Sequence, residues 1–95
     1  MREYEIMVIV DGSAEEAQVE GVVKRITEIL TTGGGEVSNV DRWGKRRFAY
    51  EIDHKTEGIY LVVQFTAESE TLGELERVLS LADEVIRHKV MSRVA

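Results

Sequence analysis

The densest chemical signal in this chain is Trp43-Gly44-Lys45-Arg46-Arg47-Phe48-Ala49-Tyr50, a run in which cations are interleaved with aromatic rings. Guanidinium and ammonium groups meet phosphates, and flat rings stack on unpaired bases, so the run suits a nucleic-acid surface. A polar edge strand also uses positive residues, there to discourage edge-to-edge pairing. Under that plainer reading Phe48 and Tyr50 are core residues, and we assign both to the core. Three adjacent cations repel one another and an edge needs only one, so Lys45, Arg46 and Arg47 are read as functional.

The other reactive residue types form no catalytic set. His54 and His88 lie far apart in sequence and lack the i, i+4 spacing of a helical metal pair. No Gly-x-Ser-x-Gly turn activates a serine. Asp53 and His54 are neighbours on extended chain, so their side chains point apart. Gly33-Gly34-Gly35 could let backbone N–H groups approach an anion, but the run follows a helix, whose C-terminal carbonyls repel phosphate. Helix termination explains it instead. With no cysteine in the chain, a disulfide, a thiolate nucleophile and a thiolate metal site are all excluded. We therefore expect no enzyme, no metal and no cofactor.

Charge distribution points back to the cationic run. Twelve basic residues against eighteen acidic give a net charge of −6, which by itself argues against nucleic acid. Yet Arg42, Lys45, Arg46 and Arg47 share the acid-free segment 42–47, and Arg87, Lys89 and Arg93 share the acid-free segment 85–95. Seven of the twelve cations thus fall in two short stretches, enough for an acidic protein to carry a basic face.

Ninety-five residues support one domain with one core, spanning residues 1–95. The longest apolar run, Ile6-Met7-Val8-Ile9-Val10, falls far short of the ~20 residues of a membrane span, and no signal peptide is apparent. A cytoplasmic protein is expected. Hydrophobic period then divides the chain. Residues 3–10 alternate as a strand, with Tyr4, Ile6, Val8 and Val10 on one side. Ser13 followed by Glu16 fits a capping box for a helix whose stripe is Val19, Val22, Val23, Ile26, Ile29 and Leu30. Val37 to Ile52 is a long strand that shifts phase between Val37 and Val40 and again at a bulge near Gly44. Lys55-Thr56-Glu57-Gly58 is a hairpin loop, and residues 59–66 form a strand apolar on both faces. Leu72, Leu75, Leu79 and Ala82 mark a second helix, capped by Ser69 or Thr71, and residues 85–94 form the last strand.

The order β-α-β-β-α-β is an α+β, ferredoxin-like split βαβ. A right-handed crossover and a short hairpin give a four-stranded sheet ordered 4-1-3-2, with both helices on one face. The other face is open. On the last strand, Ile86, Val90 and Val94 suit the covered side and leave Val85, Arg87, Lys89, Met91 and Arg93 on the open one. Met7 and Ile9 emerge beside that basic row. The third strand adds either Tyr60, Val62 and Gln64 or Ile59, Leu61, Val63 and Phe65. Mixed apolar and cationic groups suit docking more than solvation. The fold is similar to the RNA-recognition motif, but Glu57 stands where that motif has a cation, and Ile59 and Leu61 stand at its stacking positions. Base-specific reading on the sheet is not expected.

Met1-Arg2-x-Tyr4-Glu5, Gly44-x-x-Arg47-Phe48-Ala49-Tyr50-x-Ile52, Gly58-Ile59-Tyr60, and Val85-Ile86-Arg87 with Met91 together resemble the family of the sixth protein of the bacterial small ribosomal subunit. Phe48 replaces the family's usual leucine and Glu51 its usual proline. The resemblance implies a structural component that binds small-subunit ribosomal RNA of the central domain jointly with the eighteenth protein of that subunit, and neither DNA nor membrane. Lys45, Arg46, Arg47, Arg87, Lys89 and Arg93, with Arg2 and Arg42, are the expected phosphate contacts. Met7, Ile9, Tyr60, Val62 and Met91 are the expected contacts for the protein partner, and Trp43 packs on the partner or on a sugar. Strands two and four are opposite edges, so the two basic clusters meet different surfaces, in an order left open. Two other functional classes share the topology. One is a homo-oligomeric regulatory module that binds a small metabolite on the same face. The other, an acylphosphatase-like enzyme, needs a phosphate-cradling loop, whereas Asp11-Gly12-Ser13-Ala14-Glu15 is acidic.

Overall fold

A computed structural model describes residues 1–52 and 55–93. Asp53, His54 and Val94, named above, lie outside the described residues. The elements run β1 (Arg2–Asp11), α1 (Glu16–Thr32), β2 (Glu36–Ile52), β3 (Lys55–Ala67), α2 (Ser69–Leu81) and β4 (Val85–Ser92). The sheet is ordered β2-β3-β1-β4, the expected 4-1-3-2 read from the other edge. Every neighbouring pair is antiparallel.

Strand period decides the two faces. Ile6, Val8 and Val10 of β1 and Leu61, Val63, Phe65 and Ala67 of β3 are all within 1% of full burial, meeting Val22, Ile26 and Leu30 of α1 and Leu75 and Leu79 of α2. Alternation then sends Glu5, Met7 and Ile9, with Tyr60, Val62 and Gln64, to the side away from the helices. The choice left open for β3 is thereby settled for Tyr60, Val62 and Gln64.

Register breaks in β2 fall between Val37 and Asn39 and between Arg42 and Gly44, where the apolar phase shifts. Gly44 has φ +82°, a left-handed conformation that a side chain resists, and it closes the second bulge. Helix α1 ends at the triple glycine, with Gly34 also at φ +82°.

Local contacts correct five expectations. Ser13 does not cap α1: its N–H and hydroxyl both donate to Asp11 Oδ1, at 2.9 and 2.8 Å. The cap lies two residues later, where the Glu15 N–H donates to Gln18 Oε1 at 2.8 Å. Residues 55–58 are not a loop but the start of β3, paired with Arg46, Arg47 and Ile52. Val85 is on the covered face, because a bulge between Ile9 and Val10 places it opposite Val10 and against the core. Tyr50 is no core residue, being 75% exposed. Phe48 leaves the core as well, for a reason given by Gly58.

Candidate RNA and protein interface

The open face is built rung by rung. One rung runs Arg87, Ile9, Tyr60, Gly44; the next runs Lys89, Met7, Val62, Asp41; the third runs Met91, Glu5, Gln64, Asn39. Residues directly opposite on antiparallel strands share a face, so the expected partner contacts Met7, Ile9, Tyr60, Val62 and Met91 come together with Arg87 and Lys89. Met7, Ile9, Tyr60, Arg87 and Lys89 line a shallow depression of about 240 Å³. Ile9 and Val62 are only 7% and 6% exposed, already covered by their neighbours. What a partner could touch is thus chiefly Met7, Tyr60, Met91 and the ring of Trp43.

An aromatic row continues this surface onto β2. The Trp43 ring lies parallel to Tyr60, 2° between planes and 6.3 Å between centroids, and Phe48 flanks the other side of Tyr60 at 6.3 Å. Phe48 reaches this position because Gly58 has no side chain. A Cβ there would stand 2.9 Å from Phe48 Cζ and 2.6 Å from Ile9 Cγ2. Reading Phe48 as core missed this, although a glycine on the facing strand of the hairpin was a usable signal.

The basic residues divide differently from their order in sequence. Arg46 pairs with Gly58 and takes the open face, while Lys45 and Arg47 pair with Ile59 and Glu57 and take the other. Alternation therefore relieves the repulsion of three adjacent cations by placing them on two sides of one edge. Lys45 Nζ is 4.0 Å from Glu57 Oε1, a loose pair. Arg46, Arg47, Arg87, Lys89 and Arg93 have no ion pair among the described residues. Arg93 N donates to the Glu3 carbonyl at 2.9 Å, which sets it opposite an acidic residue.

Arg42 and Arg2 stand apart. Arg42 is opposite Leu61, on the helix side, and its guanidinium bonds both oxygens of Glu20 on α1 at 2.8 Å. That bidentate contact raises the Arg42 pKa and lowers that of Glu20. Arg2 is opposite Ala67, on the helix side at the far end of the sheet, beside Glu68 and Ser69. The acidic loop after β1 holds a proton-poor carboxylate: Lys55 donates to Asp11 at 2.8 Å and, with Ser13, lowers its pKa to about 2.

Among the described residues there is no cluster that could hold a metal and no helix long and apolar enough to cross a membrane. What remains is a face about 14 Å wide from β4 to β2, three strand spacings, with an apolar centre, Arg87 and Lys89 along β4, and Asp41 and Arg46 along β2.

Comparison with known proteins agrees with this architecture. A solved structure of 30S ribosomal protein S6 from Thermotoga maritima superposes with a TM-score of 0.90 at 35% identity, covering 97% of this chain and 87% of that one. The chain is also similar to the small ribosomal subunit protein bS6 of Cutibacterium acnes, 47% identical over 91 residues, covering 96% of this chain and 95% of that protein. For bS6 of Arthrobacter sp. strain FB24 the identity is 49% over 90 residues, covering 95% and 89%. The family model described as ribosomal protein S6 matches residues 3–92. With β-α-β-β-α-β order, glycine-closed bulge and sheet order all in place, the chain belongs to the ribosomal protein S6 family, a family of structural proteins and not of enzymes.

Proposed function

We propose that this protein binds small-subunit ribosomal RNA jointly with the eighteenth protein of the small subunit, as a cytoplasmic part of the ribosome. The observation that carries this reading is the open sheet face, where Met7 and Tyr60 on the two central strands lie between Arg87, Lys89 and Met91 on β4 and Arg46 on β2. A solvated face would be polar throughout, whereas an apolar centre with a charged rim is the composition of a protein contact. Lys45, Arg46 and Arg47 at the hairpin, with Arg87, Lys89 and Arg93 along β4, supply the phosphate contacts. Arg2, at the far end, adds a peripheral one. Arg42 adds little, because Glu20 already neutralises it.

Contacts to backbone and shape dominate, since A-form grooves hide base edges and Ile59 and Leu61 face the helices. An overall charge of −6 draws in a strongly basic partner and steers its approach. The test is a titration of small-subunit RNA with and without the partner, across salt. Each phosphate contact adds roughly 0.7–0.9 to the log–log salt slope, so Arg46→Ala with Arg47→Ala flattens it by about 1.5. An unchanged slope removes the hairpin from the RNA site. Binding that ignores the partner contradicts the joint reading.

A further inference from the structure

The open face is electrically divided. Arg87 and Lys89 occupy β4, while Asp41 stands at the other end of the Lys89 rung, three strands away. Asp41 has no ion pair among the described residues; its Oδ2 accepts the indole N–H of Trp43 at 3.0 Å. That bond lies along the edge of the ring and pins it, while Tyr60 backs one face in a parallel, offset stack. Trp43 nonetheless remains 42% exposed. Trp43 is the extra residue of the bulge closed by Gly44, with no register partner of its own on β3.

A pinned aromatic plane with a carboxylate at its edge selects its ligand. A cation over an indole face is attracted by the ring, and the carboxylate adds a charged acceptor with lone pairs to spare. A planar guanidinium meets both demands, stacking flat while donating sideways; an ammonium group does so less well. A nucleobase stacked there would bring its own phosphate towards Asp41, at an electrostatic cost. Arg46, the nearest cation on this face, approaches the Lys45 carbonyl at 3.4 Å and leaves Asp41 unpaired.

We propose that Trp43, Asp41 and Tyr60 form a receptor for an arginine side chain of the basic protein partner. This rests on the joint-binding reading and assigns the Asp41–Trp43 stretch of β2 to protein, leaving the β4 cations and the hairpin cations Lys45, Arg46 and Arg47 to phosphate.

Trp43 is the only tryptophan, so its emission reports this site alone. The probes are an end-capped tetra-arginine peptide, its tetra-lysine counterpart and a single-stranded hexa-adenylate RNA. The arginine peptide shifts the emission saturably and binds about threefold tighter than the lysine peptide. Asp41→Asn, a conservative surface change, weakens it about fivefold, whereas Glu70→Gln on α2 does not. Equal binding of the two peptides, untouched by Asp41→Asn, would overturn the receptor, as would saturable binding of hexa-adenylate that Asp41→Asn strengthens. In the second arm the full chain is titrated with the purified eighteenth small-subunit protein, and Asp41→Asn again costs about fivefold. If the wild-type chain fails to bind that protein, the joint reading falls. If it binds and Asp41→Asn changes nothing, only the receptor falls.

Discussion

The two faces of this sheet are cut from the same strands, one residue out of phase, and differ in almost everything else. On the covered face Ile6, Val8, Leu61 and Val63 are within 1% of full burial, each enclosed by helix side chains. On the open face their neighbours Met7, Tyr60 and Gln64 stay partly accessible, and polar groups replace packing: Gln64 Nε2 donates to Glu5 Oε1 at 3.3 Å, and Trp43 leans on Asp41. The difference separates two uses of apolar surface. One face spends it on folding; the other keeps part of it back for a partner, with cations at the rim to set charge and orientation.

The largest expected effect breaks that contrast directly. Leu61→Ala removes a fully buried side chain and should destabilise the protein by about 2–5 kcal/mol. In the same denaturant titration, Tyr60→Ala, one residue along and facing out, should cost about 1 kcal/mol, since its ring packs chiefly against Trp43 and Phe48. Equal losses would show that both faces serve folding alike.

A smaller effect sharpens the same comparison at the edge of the sheet. The Lys55 hydrogen bond, helped by Ser13, holds the Asp11 pKa at about 2, below its ordinary 3.8. A depressed carboxyl pKa stabilises the fold above the unfolded value, and that contribution is lost as pH falls through the folded one. Asp11→Asn should therefore cost under about 1 kcal/mol at pH 7, for an exposed pair. The gap from wild type should shrink between pH 4 and pH 2. Urea melts at those pH values check it; a gap independent of pH would assign Asp11 a role other than its charge.

Much of the fold was readable from local pattern because local pattern causes it. The phase shifts at Val37–Val40 and Gly44 are the register breaks themselves, and the helical stripes are the buried faces. What escaped depends on contacts distant in sequence or on competition between near neighbours. Ser13 has the chemistry of a cap, but Asp11 is closer and takes its hydroxyl. Tyr50 alternates like a core residue, yet it is 75% exposed on a hairpin strand that runs past the helices. Of the candidate site, the apolar row and the β4 cations followed from alternation. The neutralisation of Arg42 by Glu20 joins residues on different elements, and nothing in the 42–47 segment signals it. Asp41 and Trp43 stand two apart and so share a face of any extended strand, but which face that is depends on the pairing of β2 with β3, which the 41–43 spacing does not fix.

The most direct test uses the absence of native cysteine. Lys89→Cys places a single thiol on the open face, and Arg77→Cys places one on exposed α2. Thiol labelling is then timed with the chain free and again with the basic partner and ribosomal RNA bound. Complex formation should slow labelling at position 89 by at least about tenfold, about 1.4 kcal/mol of protection, and leave position 77 unchanged. Protection of position 77 with position 89 still freely labelled would contradict binding through the open face.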